Sequence, residues 1–473
     1  MRAPDAVVVG SGPNGLAAAV TLAEAGLAVL VRERSVSVGG GALTLPLTLP
    51  GFLHDRCSAI HPLAAASPLF RRLDLGARGL RWVEPPAAAA HPFDDGTAAL
   101  LLRSTADTGD GLGQDARAWQ VLLGPLAREF DALMDETLGA LIHLPRRPLL
   151  LARFGLAALL PARALAEARF RGPRARALFA GLAAHAMLPL ERSPSAAFGL
   201  VLGAAAHAVG WPFPAGGAQR IPDALSALLR ERGGVIETGA EVRALSDLPP
   251  ARAVLLDLTP RQVLRVAGER LPARYRRALS RFRYGPGAFK VDYALSAPIP
   301  WRAPECATAG TVHLGGTLDE IAAAERAVAR GELPERPFVL LAQHTRFDPS
   351  RAPPGRHTAW AYCHVPHAFE GDATAALEAQ IERFAPGFRE IVLARAAAGP
   401  VALERENPNL VGGDIGGGES SLAQMVFRPA ARAVPWSTPV PGLFLCSAST
   451  PPGGGVHGMC GWHAARAALA RLR

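Results

Sequence analysis

Ala6-Val7-Val8-Val9-Gly10-Ser11-Gly12-Pro13-Asn14-Gly15 is the stretch on which the reading of the whole chain turns. A short continuous apolar run suits a strand buried on both faces of a parallel sheet. The residues after it fit the GxGxxG spacing of a dinucleotide-binding turn. Gly10 makes the tight bend, Gly12 lets backbone approach a pyrophosphate, and Gly15 lets the following helix pack closely on the strand. Pro13 removes an amide that a first helical turn leaves free anyway. Residues 16–25 then read as a helix stopped by Gly26, and residues 27–34 as a second strand. Glu33 closes that strand eighteen residues after Gly15, where a carboxylate can accept both ribose hydroxyls. The competing reading is an ordinary glycine-rich turn between strand and helix.

Outward from this motif, the chain of 473 residues has room for two or three domains. Its 49% hydrophobic and 19% charged residues exclude a disordered chain. The formal charge of +9 comes from arginines scattered along the sequence, not gathered into a basic tail, which argues against nucleic acid as a partner. Cys57, Cys306, Cys363, Cys446 and Cys460 form no CxxC pair, which argues against a disulfide scaffold, a zinc ribbon and a dithiol redox centre; no metal site is expected. No apolar run approaches the roughly 20 residues that span a bilayer, and the first strand begins at once near Ala6. These features predict a protein of the reducing cytoplasm.

Between residues 75 and 210 the pattern changes to Ala-, Leu- and Arg-rich segments broken by prolines, which predicts a mainly helical insertion. A helix over 221–232, the Gly233-Gly234 stop and a strand over 235–242 then resume the α/β pattern. Residues 289–295, 338–343 and 358–364 read as strands of a second sheet. A last strand, 442–447, leads through Pro451-Pro452-Gly453-Gly454-Gly455 into a helix over 457–472. The expected fold class is therefore α/β. A discontinuous Rossmann-type domain from 1–75, 211–284 and 406–473 is interleaved with an α+β substrate domain, whose 76–210 part is mostly helical and whose 285–405 part is a mixed sheet.

Directly after Glu33 stand Arg34-Ser35-Val36-Ser37-Val38-Gly39-Gly40-Gly41-Ala42. Here the chain resembles the FAD-binding amine oxidase and carotenoid (phytoene) desaturase superfamily, in which an acid is followed by a Gly-Gly doublet that wraps the pyrophosphate. The amine-oxidase version continues with arginine, where this chain has Gly41. Residues 211–242 are similar to a family segment in which backbone at the strand's last valine, here Val242, meets the adenine. Residues 348–355 and 407–414 resemble the subgroup of pyridine nucleotide-disulphide oxidoreductase domain-containing protein 2. The end, LFLCSASTPPGGGVHGMCGWHAARAAL, resembles the closing segment whose helix N-terminus meets the flavin ring. The resemblance implies FAD as cofactor, held by Gly10, Gly12, Pro13, Asn14, Gly15, Glu33, Arg34, Gly39, Gly40, Gly41, Ala42, Val242, Gly454, Gly455, Val456 and Met459. Independently, the three glycines 453–455 permit close backbone approach, and a helix opening beyond them would favour an anionic reduced flavin.

Lys290 is the only lysine among 50 basic residues, and it falls on a predicted strand. Arginine can replace lysine on a solvated face, but not where a compact ammonium must fit or a neutral amine is required. The resemblance points the same way, since amine oxidases carry a lysine in a similar strand, holding a water beside the flavin N5. The other reading of Lys290 is a structural buried ion pair. His457, at the start of the closing helix, is the second catalytic candidate. His54, Asp55 and His61 follow the glycine doublet, and Trp211, Trp301 and Trp360 either line an apolar substrate cavity or serve as core. Cys460 reads as a small packing residue. Arginines interleaved with Leu, Ala and Phe over 149–177 read either as peripheral membrane contact or as a solvated helix face.

The chain is thus expected to be an FAD-dependent oxidoreductase taking hydride from a C–H bond of an apolar or amine-bearing small molecule, with dioxygen or another acceptor removing the electrons. Lys290 favours an oxidase or dehydrogenase, and the Arg-rich insert a membrane-associated polyprenoid desaturase or isomerase. A non-catalytic flavin-binding interaction protein is the alternative of another class.

Overall fold

The computed structural model describes residues 3–472; residues 1, 2 and 473, at the outer ends of the first and last predicted domain stretches, lie outside it. The strand Ala6–Val9 is buried along its length, as its four small apolar residues require. It lies in the middle of a five-stranded parallel sheet in the order Leu443–Leu445, Ala253–Leu256, Ala6–Val9, Val29–Arg32, Val235–Glu237. The strand order reverses beside Ala6–Val9, so the crevice at its carboxyl end is the topological switch point where doubly wound sheets bind ligands. The helix Pro13–Glu24 starts in that crevice, and the chain turns back at Gly26 with φ 85°. The closing helix Met459–Leu472 packs across it so tightly that a side chain at Gly461 would strike the Asn14 carbonyl.

The strand predicted over 235–242 ends at Glu237. Gly239, at φ 65°, turns the chain so that its amide donates to the Ser35 carbonyl and that of Ala240 to the Glu33 carbonyl. Val242 therefore leaves the ladder and faces the crevice from a loop. The closing helix likewise opens two residues later than predicted, because Gly458 takes φ 70°.

A seven-stranded sheet forms the second layer, in the order Val392–Ala398, Gly287–Leu295, His357–Val365, Val339–Ala342, Ala309–Leu314, Ala87–Pro92, Ala98–Leu102. All pairings are antiparallel except that of Ala309–Leu314 with Ala87–Pro92. The last two strands fall inside the stretch expected to be mainly helical. Alanine is the best helix former, but here buried alanines accept a sheet partner from far along the chain, so tertiary packing overrides propensity. The remaining insertion is helical from Thr105 to Val209, around Trp119, Phe130, Phe154, Phe170 and Phe179. Among the described residues no single helix is long and apolar enough to cross a membrane.

Fully buried Arg351 joins the two layers. Its guanidinium donates to Asp55, to Asp348 and to the Pro214 carbonyl, and lies over the Phe213 ring. Burial by itself raises the Asp55 carboxyl, but the Arg351 guanidinium, His344 and the Ala218 amide together outweigh it and hold the pKa at about 2. Asp55 is thereby committed to structure.

Candidate active site

One cavity of about 1280 Å³ runs from the switch-point crevice into the helical layer. Gly10, Gly12, Pro13 and Asn14 form one wall of it, with Glu33 and Arg34 beside them. The glycines here are required by contact: a Cβ on Gly12 would lie 2.9 Å from an Asp257 carboxylate oxygen, and one on Gly40 would lie 3.0 Å from Gly12 Cα. Gly40 at φ 57° thus lays the second glycine segment backbone to backbone on the first. Gly41 and Ala42 continue that wall, whereas Gly15 and Gly39 shape it from behind; the Gly39 amide donates to the Ser11 carbonyl. Glu33 accepts from the Ser11 amide and hydroxyl with one oxygen and from the Ser35 amide with the other, which fixes its carboxylate at the crevice edge.

Across the cavity stand Val242, Gly454, Gly455, Val456 and His457. His457 turns its Nδ1 to accept from the Met459 amide, and burial lowers its pKa to about 4, so it is a neutral ring capping its own helix. Met459 is buried at the helix start and does not line the cavity. The same crevice holds Asn14 Oδ1, a buried acceptor with no protein partner. A backbone-lined double-glycine cradle, a carboxylate at ribose position and an unpartnered polar atom together fit a dinucleotide with its pyrophosphate on the turn.

Asp257 is a site residue that the sequence does not single out. It ends the strand Ala253–Leu256, itself unread because AVLL is too short to tell strand from helix, and its Oδ2 accepts from the Gly15 amide at 3.0 Å. Burial raises its pKa from 3.8 to about 7, the Gly15 amide opposing and Glu33 adding to the rise. The folded protein therefore holds a proton that the unfolded chain releases above about pH 4. The Asp257 contribution to apoprotein stability should fall as pH rises from about 4 through about 7, by up to roughly 4 kcal/mol, against buried histidines such as His457 whose lowered pKa values act in the opposite direction, so Asp257→Asn should gain on wild type across that range. Urea unfolding of both proteins at several pH values reads this as the difference between them; a stability difference that stays constant from about pH 4 to about pH 8 would refute it.

Lys290 lies on Gly287–Leu295, buried, with its ammonium bonded to the Asp292 carboxylate and 5.9 Å from the Trp360 ring centroid. Burial lowers the ammonium and raises the Asp292 carboxyl to about 6, bringing the two groups toward sharing one proton. Lys290 does not line the main cavity. It faces a second space of about 20 Å³, room for one water, bounded also by Cys57, Trp360, Tyr362, Leu403 and Ile415. Those five residues line the main cavity too, so the small space lies just behind its wall. Asp292 Oδ1 has no hydrogen-bond partner and lies 3.7 Å from His54 Nδ1.

Of the other candidates, His61, Trp211 and Trp360 line the cavity, whereas Trp301 donates to Gln343 away from it. Cys460 directs its thiol to the Thr450 and Gly453 carbonyls, and burial pushes it up to about 11. All five cysteines are free, and no group of His, Cys, Asp and Glu among the described residues is placed to hold a metal. Further site residues beyond those read from the sequence are His185, bonded to His313 at 3.1 Å, and Asp414 and Arg428, which tie the loops around Gly416 and Gly417.

Fold and cleft together define a dinucleotide-binding oxidoreductase with the fold of the amine oxidases. Residues 8–74 match the model of the NAD(P)-binding Rossmann-like domain. Along its length the chain is similar to mouse (Mus musculus) pyridine nucleotide-disulfide oxidoreductase domain-containing protein 2, with 28% identity over 99% of this chain and 94% of the relative. One of the limonene dehydrogenase chains of Castellaniella defragrans is 36% identical over 20% of this chain and 17% of its own. Putrescine oxidase with bound putrescine superposes at a TM-score of 0.62 with 20% identity, over 99% of both chains.

Proposed function

We propose that the protein works in the cytoplasm by removing hydride from a C–H bond of an apolar small molecule and passing the electrons to dioxygen or another acceptor. The carrying observation is that the dinucleotide crevice continues into a cavity walled by Met134, Leu138, Leu151, Phe154, Val201 and Leu202. Bound FAD supplies the hydride-accepting ring chemistry. Gly12, Gly40 and Gly41 give the pyrophosphate close backbone approach, and Glu33 takes the ribose. The apolar wall orients a hydrocarbon chain and excludes water. An amine reading is less well served: Glu136, the carboxylate on the helical wall, already accepts from the Arg146 and Arg147 amides and bonds His143. The resemblance to limonene dehydrogenase, named for a hydrocarbon, supports the same choice. Lys290, with room for one water in the space before it, is suited to hold or move a proton at the cavity wall.

The test begins with the visible spectrum of purified protein and the identity of the chromophore released on denaturation. Oxidised-flavin bands released as FAD are expected, followed by anaerobic bleaching with terpenoid or alkyl substrates. A colourless protein that takes up no added FAD would overturn the reading, and bleaching by amines alone would overturn its substrate half.

A further inference from the structure

The helix Pro148–Ala158 has two apolar faces. Leu151, Phe154 and Ala158 line the cavity, while Leu149 and Leu156 stand 86% and 80% exposed on the outside. Just before the helix, Ile142 and Leu144 are 70% and 92% exposed, and Leu160 follows it at 40%. Isolated surface leucines are ordinary, but this many strongly exposed apolar side chains on and beside one short helix mark an interaction site. Its charge is one-sided. Residues 138–160 contain no acid, and Arg146, Arg147 and Arg153 lie exposed among the leucines without a carboxylate partner among the described residues. Arg146 and Arg147 also stand at the positive end of the helix, where the first turn carries no acid, so an anion there would meet both cations and dipole.

Among the more distal arginines of 149–177, Arg169 and Arg171 are exposed and unpaired like these three among the described residues, whereas Arg163, Arg174 and Arg176 are engaged. Arg163 pairs with Glu167 and Asp319, while Arg174 and Arg176 donate to the carbonyls of Ala98 and Phe170. At eleven residues the helix Pro148–Ala158 is about 16 Å long, half the roughly 30 Å of a bilayer's hydrocarbon core.

We infer that the face made by Ile142, Leu144, Leu149, Leu156 and Leu160, ringed by Arg146, Arg147 and Arg153, docks in the plane of an anionic lipid bilayer. The leucines enter the acyl boundary and the guanidinium groups meet lipid phosphates. Docking sets the outer face of the cavity wall against the acyl chains. It rests on the surface alone; that the bilayer also supplies the substrate rests on the function proposed above.

Flotation of the FAD-loaded protein with vesicles tests docking without any turnover. Phosphatidylcholine vesicles containing phosphatidylglycerol should carry the protein up, and pure phosphatidylcholine should carry far less. Leu149→Glu/Leu156→Glu should lower the bound fraction on the order of tenfold. Arg146→Glu/Arg147→Glu, which alters only solvated side chains, should do the same on anionic vesicles and decides the matter if the leucine pair loses its fold. A wild type that stays with the soluble fraction at low salt overturns the inference. So does self-association in sedimentation velocity that the leucine pair abolishes while vesicles bind nothing, because the patch would then meet a second copy of the chain.

Discussion

Gly15→Ala should purify without flavin, and its affinity for added FAD should be at least about a hundredfold weaker, close to 3 kcal/mol. The added methyl would land on the Gly10 carbonyl oxygen and 3.0 Å from Asp257 Oδ2. Neither neighbour can give way. The Gly10 carbonyl belongs to the turn itself, held at φ 102°, and Asp257 is fixed by the Gly15 amide. Displacing the helix start would break that bond and pull the turn away from the second glycine segment at Gly40. Gly268→Ala is the matching control, since it lies outside the cavity and its Cβ would meet nothing within 4 Å. Equilibrium dialysis against FAD, with circular dichroism to verify folding, separates the two. Equal affinity in Gly15→Ala and wild type would show that the turn does not cradle the pyrophosphate.

That contrast also marks where sequence reading reaches its limit. AVVV, the GSGPNG turn and Glu33 are local signals: burial, glycine spacing and strand end lie within one βαβ unit, and the structure has them in one crevice. Gly40, Val242 and Gly454 come to the same cavity by long-range docking that no local period encodes. The strands Ala87–Pro92 and Ala98–Leu102 are hidden because their alanines and leucines carry a helical propensity that only their sheet partners overrule. Val392–Ala398 is hidden for a related reason, being an edge strand whose alternating exposure is written in alanine and arginine. Asp257 is noticeable as a carboxylate closing an apolar run, but its importance comes from accepting the Gly15 amide and filling the space that a side chain at Gly10, Gly12 or Gly15 would need, a relation between distant parts of the chain. Lys290 is conspicuous through composition alone. What composition does not supply is Asp292 two residues on, facing the same buried side of the strand.

Lys290→Met should separate the two roles open to that lysine. Removing the cation leaves the Asp292 carboxylate buried against His54 with no compensating charge, a loss of about 3–5 kcal/mol in stability. Lys290→Met/Asp292→Asn should recover most of it, because a neutral amide needs no counter-ion. Stability alone would then be satisfied. If Lys290 also works through the water-sized space behind Trp360 and Tyr362, the double variant should still react with dioxygen on the order of a hundredfold more slowly once photoreduced. Stopped-flow mixing with aerated buffer measures that rate, and the flavin content of each variant fixes how much protein is counted. A double variant both as stable and as fast as wild type would reduce Lys290 to a structural cation. A stable double variant with slowed reaction places the proton-handling group behind the cavity wall, where the only lysine of the chain stands.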